Sequence, residues 1–127
     1  MSQKVILIDD DPDDHEIFAM ALIEAMPEAV SVLYDSAENA LSELSQSTEN
    51  LPDYIFLDLN MPRMNGMQLL ELLKKEEHLV NIPVIIYSTS ILPSIKTQAL
   101  QLGAHDFLAK PASHLELIKN LKKLLNN

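Results

Sequence analysis

The chain has 127 residues, of which 47% are hydrophobic and 22% charged, and this suits one compact domain with a sizeable apolar core. With 19 acidic residues against 9 basic ones its net charge is -10, which argues against a nucleic-acid binder, since that would need a cationic surface. Cysteine is absent and the only glycines are Gly66 and Gly103, so disulfides, thiolate chemistry and glycine-rich phosphate loops are excluded.

The opening "MSQKVILIDD" has an apolar run of only four residues that ends in acid, unlike a signal peptide. No later stretch approaches the ~20 apolar residues needed to cross a bilayer, so a cytoplasmic protein without membrane contact is expected. "KVILI" (4–8) reads as a strand covered on both faces. An acidic run follows, Asp9, Asp10, Asp11, Asp13 and Asp14, broken only by Pro12. Like charges this close repel, so something must offset them. Asp11 can cap a helix with Pro12 at its first position, and Asp13 and Asp14 then fall in the first turn, where the helix dipole favours anions. Asp9 and Asp10 lie at the strand end instead and are assigned to a bound cation.

The first helix carries the apolar stripe Phe18, Ala21, Leu22 and Ala25. "VSVLY" (30–34) is a more mixed strand suited to an edge, and Ser36 can cap the helix bearing Ala37, Ala40, Leu41 and Leu44. "YIFLD" (54–58) is a third, fully covered strand, followed by a turn-rich segment and by Asn65, which can cap the stripe Gly66, Leu69, Leu70 and Leu73. "VIIYS" (84–88) is the fourth strand. A weaker stripe, Ile95, Ala99 and Leu102, ends at Gly103, and "DFLAK" (106–110) is the fifth strand, nearer an edge. "SHLE" (113–116) reads as a capping box ahead of Leu117, Leu121 and Leu124. The four histidines, His15, His78, His105 and His114, show no ligand spacing and are expected to face solvent, while Met61, Met64 and Met67 are expected to pack around the turn and helix. Strict β–α alternation implies an α/β fold with a parallel sheet and helices on both faces, a single domain over residues 1–127 with no output domain.

In such sheets ligands bind beyond the carboxyl ends of the strands, where the strand order reverses. The strand ends here bring Asp9, Asp10, Asp58, Ser88 and Lys110 to one crevice. A hard divalent cation such as Mg²⁺ takes one or two carboxylates, with waters and phosphate oxygens completing its octahedron. A carboxylate is also a nucleophile toward phosphorus, and a phosphoryl group in transfer needs cations and donors for its three equatorial oxygens. The set therefore fits phosphoryl chemistry: metal, lysine and hydroxyl could take one oxygen each.

The chain resembles the receiver domain of two-component response regulators over essentially all 127 residues. The resemblance rests on "DD" (9–10), "DLNMPRMNG" (58–66), the hydroxyl of "PVIIYSTS" (83–90) and "DFLAKP" (106–111), in this order and at these strand ends. It implies a doubly wound, flavodoxin-like fold, five strands in the order 2-1-3-4-5 with five helices. It also implies Asp58 as phosphoacceptor, and Asp9, Asp10, Asp58 and the Asn60 carbonyl as the Mg²⁺ site. Ser88 and Lys110 are implied to sense the phosphate, with Thr89 a rival to Ser88, and Phe107 matches the switch aromatic. The family usually has a small residue after the hydroxyl; Thr89 stands there, followed by Ser90, which bears on how open the pocket is. Phe107 lacks the hydroxyl of the commoner tyrosine, so it would switch through packing alone. A cis Lys110–Pro111 bond is implied as well.

A sensor histidine kinase or histidine phosphotransfer protein would then be the donor, and a downstream protein would read the face of the fourth helix, fifth strand and fifth helix, with no nucleic acid involved. The single-domain format and "YSTS" are similar to receivers that work beside phytochrome-type kinases. Two other functions compete. A Mg²⁺-dependent phosphohydrolase using an aspartyl phosphate would want a second aspartate where Asn60 stands, and would turn over a small phosphate ester. A scaffold that is never phosphorylated would not need the acidic set and Lys110, and would form no phosphoaspartyl adduct. The expectation is a switch, not a turnover enzyme.

Overall fold

The computed structural model describes residues 3–46, 49–61, 65–89, 91–110 and 113–125. Met64, Ser90 and Pro111, and with Pro111 the Lys110–Pro111 bond, lie outside these residues. In chain order the elements are β1 (Lys4–Ile8), α1 (Pro12–Ala25), β2 (Val30–Tyr34), α2 (Ala37–Gln46) and β3 (Tyr54–Leu57). They continue with α3 (Gly66–Leu73), β4 (Val84–Ser88), α4 (Pro93–Gln101), β5 (Asp106–Ala109) and α5 (His114–Leu125). The five strands form one parallel sheet in the order β2-β1-β3-β4-β5, as the resemblance implies. Asp58 and Lys110 fall one residue beyond the strands that the sequence pattern assigned them to.

Side chains alternate across a strand, and this splits the buried residues into two cores. Val5, Leu7, Phe56, Ile85 and Tyr87 face α1 and α5, where Phe18, Ala21, Leu22, Leu117, Ile118 and Leu121 meet them. Ile6, Ile8, Ile55, Leu57 and Ile86 face α2, α3 and α4, whose contributions include Ala40, Leu44, Leu69, Leu73 and Ala99. The central strands are therefore apolar through their interiors, with Lys4 opening β1 and Ser88 closing β4, and their continuous hydrophobic runs follow from being covered twice. The edges differ: Val30 of β2 is 51% exposed, and β5 buries only Leu108.

Local chemistry explains the helix ends. Asp11 accepts the Asp13 N–H at 2.9 Å with Pro12 at the first position of α1. Asn65 and Gln68 form a reciprocal capping box at α3, a pairing not anticipated from the sequence. The Asn39 N–H donates to Ser36 Oγ at 3.1 Å, and the Glu116 N–H to Ser113 Oγ at 3.1 Å. Gly103, at φ +108°, closes the turn after α4 in a conformation that side chains disfavour. On α5 the buried stripe is Leu117, Ile118, Leu121 and Leu125, while Leu124 is only half-buried, because the helix leans its i, i+4 edge onto α1. α4 buries Ala99 alone, so it is the helix held least by the core.

Phe18, Phe56 and Tyr87 form one aromatic cluster, with Phe56 centred 5.0 Å from Phe18 and 6.5 Å from Tyr87. Phe56→Ala removes one of the three rings and is expected to cost ~3–5 kcal/mol in urea denaturation, whereas Val30→Ala on the exposed edge should stay within ~0.5 kcal/mol. Comparable losses would show that the cluster is not the centre of this core.

Candidate functional site

The sheet builds the crevice by carrying its hydrogen-bond ladder one residue past the strands. Asp9 N–H donates to the Tyr34 carbonyl at 3.0 Å, and Asp58 N–H to the Ile8 carbonyl at 2.9 Å. Asp9 and Asp58 are thereby fixed side by side, 0% and 5% exposed, while Asp10 lies at the mouth and is exposed. Among the described residues these three carboxylates bring oxygen atoms within 4.8 Å of one another. On the other side, Lys110 N–H donates to the Ser88 carbonyl at 2.8 Å, which sets Lys110 beside a Ser88 that is 1% exposed. Thr89, the rival, is exposed.

The Lys110 ammonium reaches into the carboxylates. Its Nζ lies 2.7 Å from Asp14 Oδ2, 2.8 Å from Asp9 Oδ2 and 3.5 Å from Asp58 Oδ2. Burial alone would lower its pKa, but the hydrogen bond it donates to Asp14, the contact with Asp9 and the charge of Asp58 outweigh burial and hold the ammonium charged. Burial pushes Asp9 in the opposite sense, up from its ordinary 3.8 to about 6, with Lys110 and the Asp11 N–H opposing the rise. Asp9 Oδ2 is close enough to Lys110 for an ion pair, yet among the described residues no donor is aligned on it for a hydrogen bond. A buried carboxylate oxygen without an aligned donor, next to two further carboxylates, is a donor set of hard oxygens that fits a divalent cation.

Other bonds hold the turn. Asn60 N–H donates to Asp58 Oδ1 at 3.1 Å. Gly66, the first residue of α3, passes so close to this turn that a Cβ there would lie 2.3 Å from the Asp58 carbonyl oxygen. Only glycine lets the helix start beside Asp58, a role the sequence reading did not assign. Leu59, Asn60, Asn65, Met67, Ser88, Leu92, Ile95 and Gln98 line a groove of ≈ 420 Å³ that runs from the crevice along α4. Phe107 is half-buried against the α2–α4 core, with Lys96 Nζ 5.1 Å from its ring centroid.

Three sequence expectations need correction. Asp14 is not simply a helix-start charge: its side chain is 21% exposed and makes the shortest of the Lys110 contacts. Its neighbour Asp13 is exposed and does behave as expected. His15 and His78 are half-buried, because each ring ties down a backbone carbonyl, His15 Nε2 that of Asp9 and His78 Nε2 that of Leu44 at 2.8 Å. His105 and His114 are exposed.

Residues 5–122 match the model of the response regulator receiver domain. The chain is 32% identical over 125 residues to the phosphate regulon transcriptional regulatory protein PhoB of Pseudomonas aeruginosa, covering 98% of this chain and 52% of that protein. It thus spans about half the length of that curated relative. Protein PilH of the same organism is 30% identical and is matched over 96% of this chain and 97% of its own length. Among solved structures, the phosphorylated cyanobacterial phytochrome response regulator RcpA superposes with a TM-score of 0.87 at 27% identity, covering 98% of this chain and 91% of that one. The response regulator RPA3017 in red light signalling of R. palustris gives 0.85 at 26% identity, with coverages of 96% and 90%.

Two outcomes are expected of the site itself. Because Asp9 is raised in the folded chain, its contribution to stability is fully present below about pH 4 and is lost as pH rises toward about 6. Melting temperatures in chelator should therefore fall across that window in the parent chain and more weakly in Asp9→Asn; parallel curves would contradict the burial argument. Gly66→Ala should lower the denaturation midpoint, by ~1–3 kcal/mol of overpacking, and weaken Mg²⁺ binding together with it, since residue 58 must move. An unshifted metal titration would show that the close approach does not position Asp58.

Proposed function

The chain belongs to the response regulator receiver family, a phosphorylation-dependent signalling switch of two-component systems, and we propose that Asp58 is its phosphoacceptor. The observation that carries this assignment is the convergence of Asp9, Asp10, Lys110 and the Asn60 N–H on one nearly buried carboxylate. The donor is a histidine kinase or a histidine phosphotransfer protein. An Asp58 oxygen attacks phosphorus, the P–N bond to the donor imidazole breaks, and the leaving nitrogen keeps the electron pair and is protonated. Asn60 N–H, on Asp58 Oδ1, fixes the carboxylate plane for that attack. Asp9, Asp10, Asp58 and the Asn60 carbonyl would hold Mg²⁺, which when bound supplies positive charge to the phosphoryl oxygens. Lys110 neutralises a second oxygen and the Ser88 hydroxyl donates to a third.

Movement of Ser88 toward the phosphoryl group would draw the segment after β4 inward and open space for Phe107. The surface altered would be α4, β5 and α5, where Leu92, Leu100 and Leu115 are exposed apolar residues and where α4 is held loosely. That face is the proposed contact for a downstream protein. The likeness to RcpA and RPA3017 favours a light-signalling kinase of phytochrome type as donor. No helix of the described residues is long and apolar enough to cross a membrane, consistent with a switch acting in the cytoplasm, and the matched segment acts as one domain. The role is that of a switch and not a turnover enzyme, since Asn60 stands where a phosphohydrolase of this chemistry would want a second carboxylate.

Intact mass after incubation with a small phosphodonor should rise by one phosphoryl group only with Mg²⁺, and Asp58→Asn should show no rise. Labelling of that variant equal to the parent would move the acceptor elsewhere. Ser88→Ala should still be labelled, but its backbone amide shifts over residues 91–118 should respond little to a phosphoryl mimic. A response like the parent's would pass the sensing role to Thr89 or to a backbone amide.

A further inference from the structure

The contact between Lys110 and Asp14 has no part in the chemistry above, yet it is the shortest that the ammonium makes. Lys110 Nζ donates to Asp14 Oδ2 at 2.7 Å in an aligned hydrogen bond, whereas the 2.8 Å pair with Asp9 is poorly aligned and Asp58 sits at 3.5 Å. Both side chains are sheltered, 11% and 21% exposed, so solvent and salt screen the pair little. We propose that Asp14 is a positioning residue that competes with Asp58 for Lys110, holding the ammonium in the resting state and setting how readily a phosphoryl group is taken up. The inference rests on Asp58 being the acceptor.

Three protons are available on the ammonium, and its best-directed one is committed to a carboxylate from the first turn of α1. A phosphoryl group on Asp58 brings roughly two negative charges into a crevice where three carboxylates, Asp9, Asp14 and Asp58, already face one ammonium and Asp10 stands at the mouth. For Lys110 to serve that group it must loosen or stretch the bond to Asp14, and the free energy of that bond is subtracted from phosphoryl binding. Asp13 separates this role from simple charge. It adjoins Asp14 on the same helical turn and carries the same charge, but it is exposed, and the Lys110 ion pairs are with Asp9, Asp14 and Asp58.

Asp14→Asn keeps the shape of the side chain, weakens its hold on the ammonium and removes one charge. At saturating Mg²⁺ it should bind beryllofluoride, a mimic of the phosphoryl group, roughly three- to tenfold more tightly than the parent, the net scale of one ordinary hydrogen bond, since the Asn oxygen can still accept from the ammonium. In the absence of the mimic its Mg²⁺ affinity should fall or stay level, because the crevice has lost a negative charge. Asp13→Asn should leave mimic binding within roughly a factor of two of the parent, as expected for an exposed charge. A merely structural role for Asp14 would weaken mimic and metal together, and that outcome, or unchanged mimic binding, would overturn the proposal. Equal tightening in Asp13→Asn would overturn it too, by assigning the effect to net charge. If the parent chain binds no beryllofluoride, or Asp58→Asn binds it equally, the assignment of Asp58 fails and not the competition alone.

Discussion

A single ammonium set among carboxylates from three separate segments is the interaction on which the crevice depends. Asp9 is fully buried and Asp58 nearly so, and such charges are costly to desolvate unless a counter-charge and hydrogen bonds accompany them. Lys110 supplies that charge from the end of β5, directed by its own N–H on the Ser88 carbonyl. It draws together the end of β1, the first turn of α1 and the end of β3. Among the described residues one ammonium faces three carboxylates, and an oxygen of Asp9 lacks an aligned donor. That deficit fits the hard-oxygen donor set of a divalent cation, on which the proposed phosphoryl chemistry relies.

The two cores on either side of the sheet give the crevice unequal supports. α1 and α5 pack tightly over the aromatic cluster, and α1 carries Asp14, so the ammonium's resting partner sits on a rigid element. α4, on the opposite face, buries little beyond Ala99 and begins without a side-chain cap at Leu92. A charge change at Asp58 therefore meets firm structure on one side and yielding structure on the other. Phe107, a β5 residue half-buried against the core that α4 covers, lies on the yielding side.

The sequence showed the sheet clearly because apolar runs that are covered on both faces have no polar residue to blur them, as in "KVILI" and "VIIYS". The convergence of Asp9, Asp10, Asp58, Ser88 and Lys110 was legible for a related reason: each ends or closely follows a recognisable strand, and parallel topology sends all strand ends to one edge. What stayed hidden depended on contacts between distant segments. Asp14 pairs with a residue 96 positions away, and its local context of helix start and acidic neighbours gave a sufficient but incomplete account of it. Gly66 fits a helix stripe as well as any small residue, and only the approach of α3 to the Asp58 carbonyl shows why it must be glycine. The half-buried rings of His15 and His78 likewise answer to backbone carbonyls that no spacing rule points to. On α5 the shift from Leu124 to Leu125 reflects how that helix leans on α1, which periodicity alone does not set.

The central claim is that this charge arrangement exists to load a phosphoryl group onto one particular carboxylate. Borohydride reduction of the phosphorylated chain, followed by peptide mapping by mass spectrometry, tests it most directly, because reduction converts an aspartyl phosphate into homoserine and leaves a free carboxylate unchanged. The account predicts homoserine at position 58 and nowhere else, dependent on Mg²⁺ during loading. Homoserine at position 9 or 10, or a phosphoryl adduct that resists reduction, would contradict it.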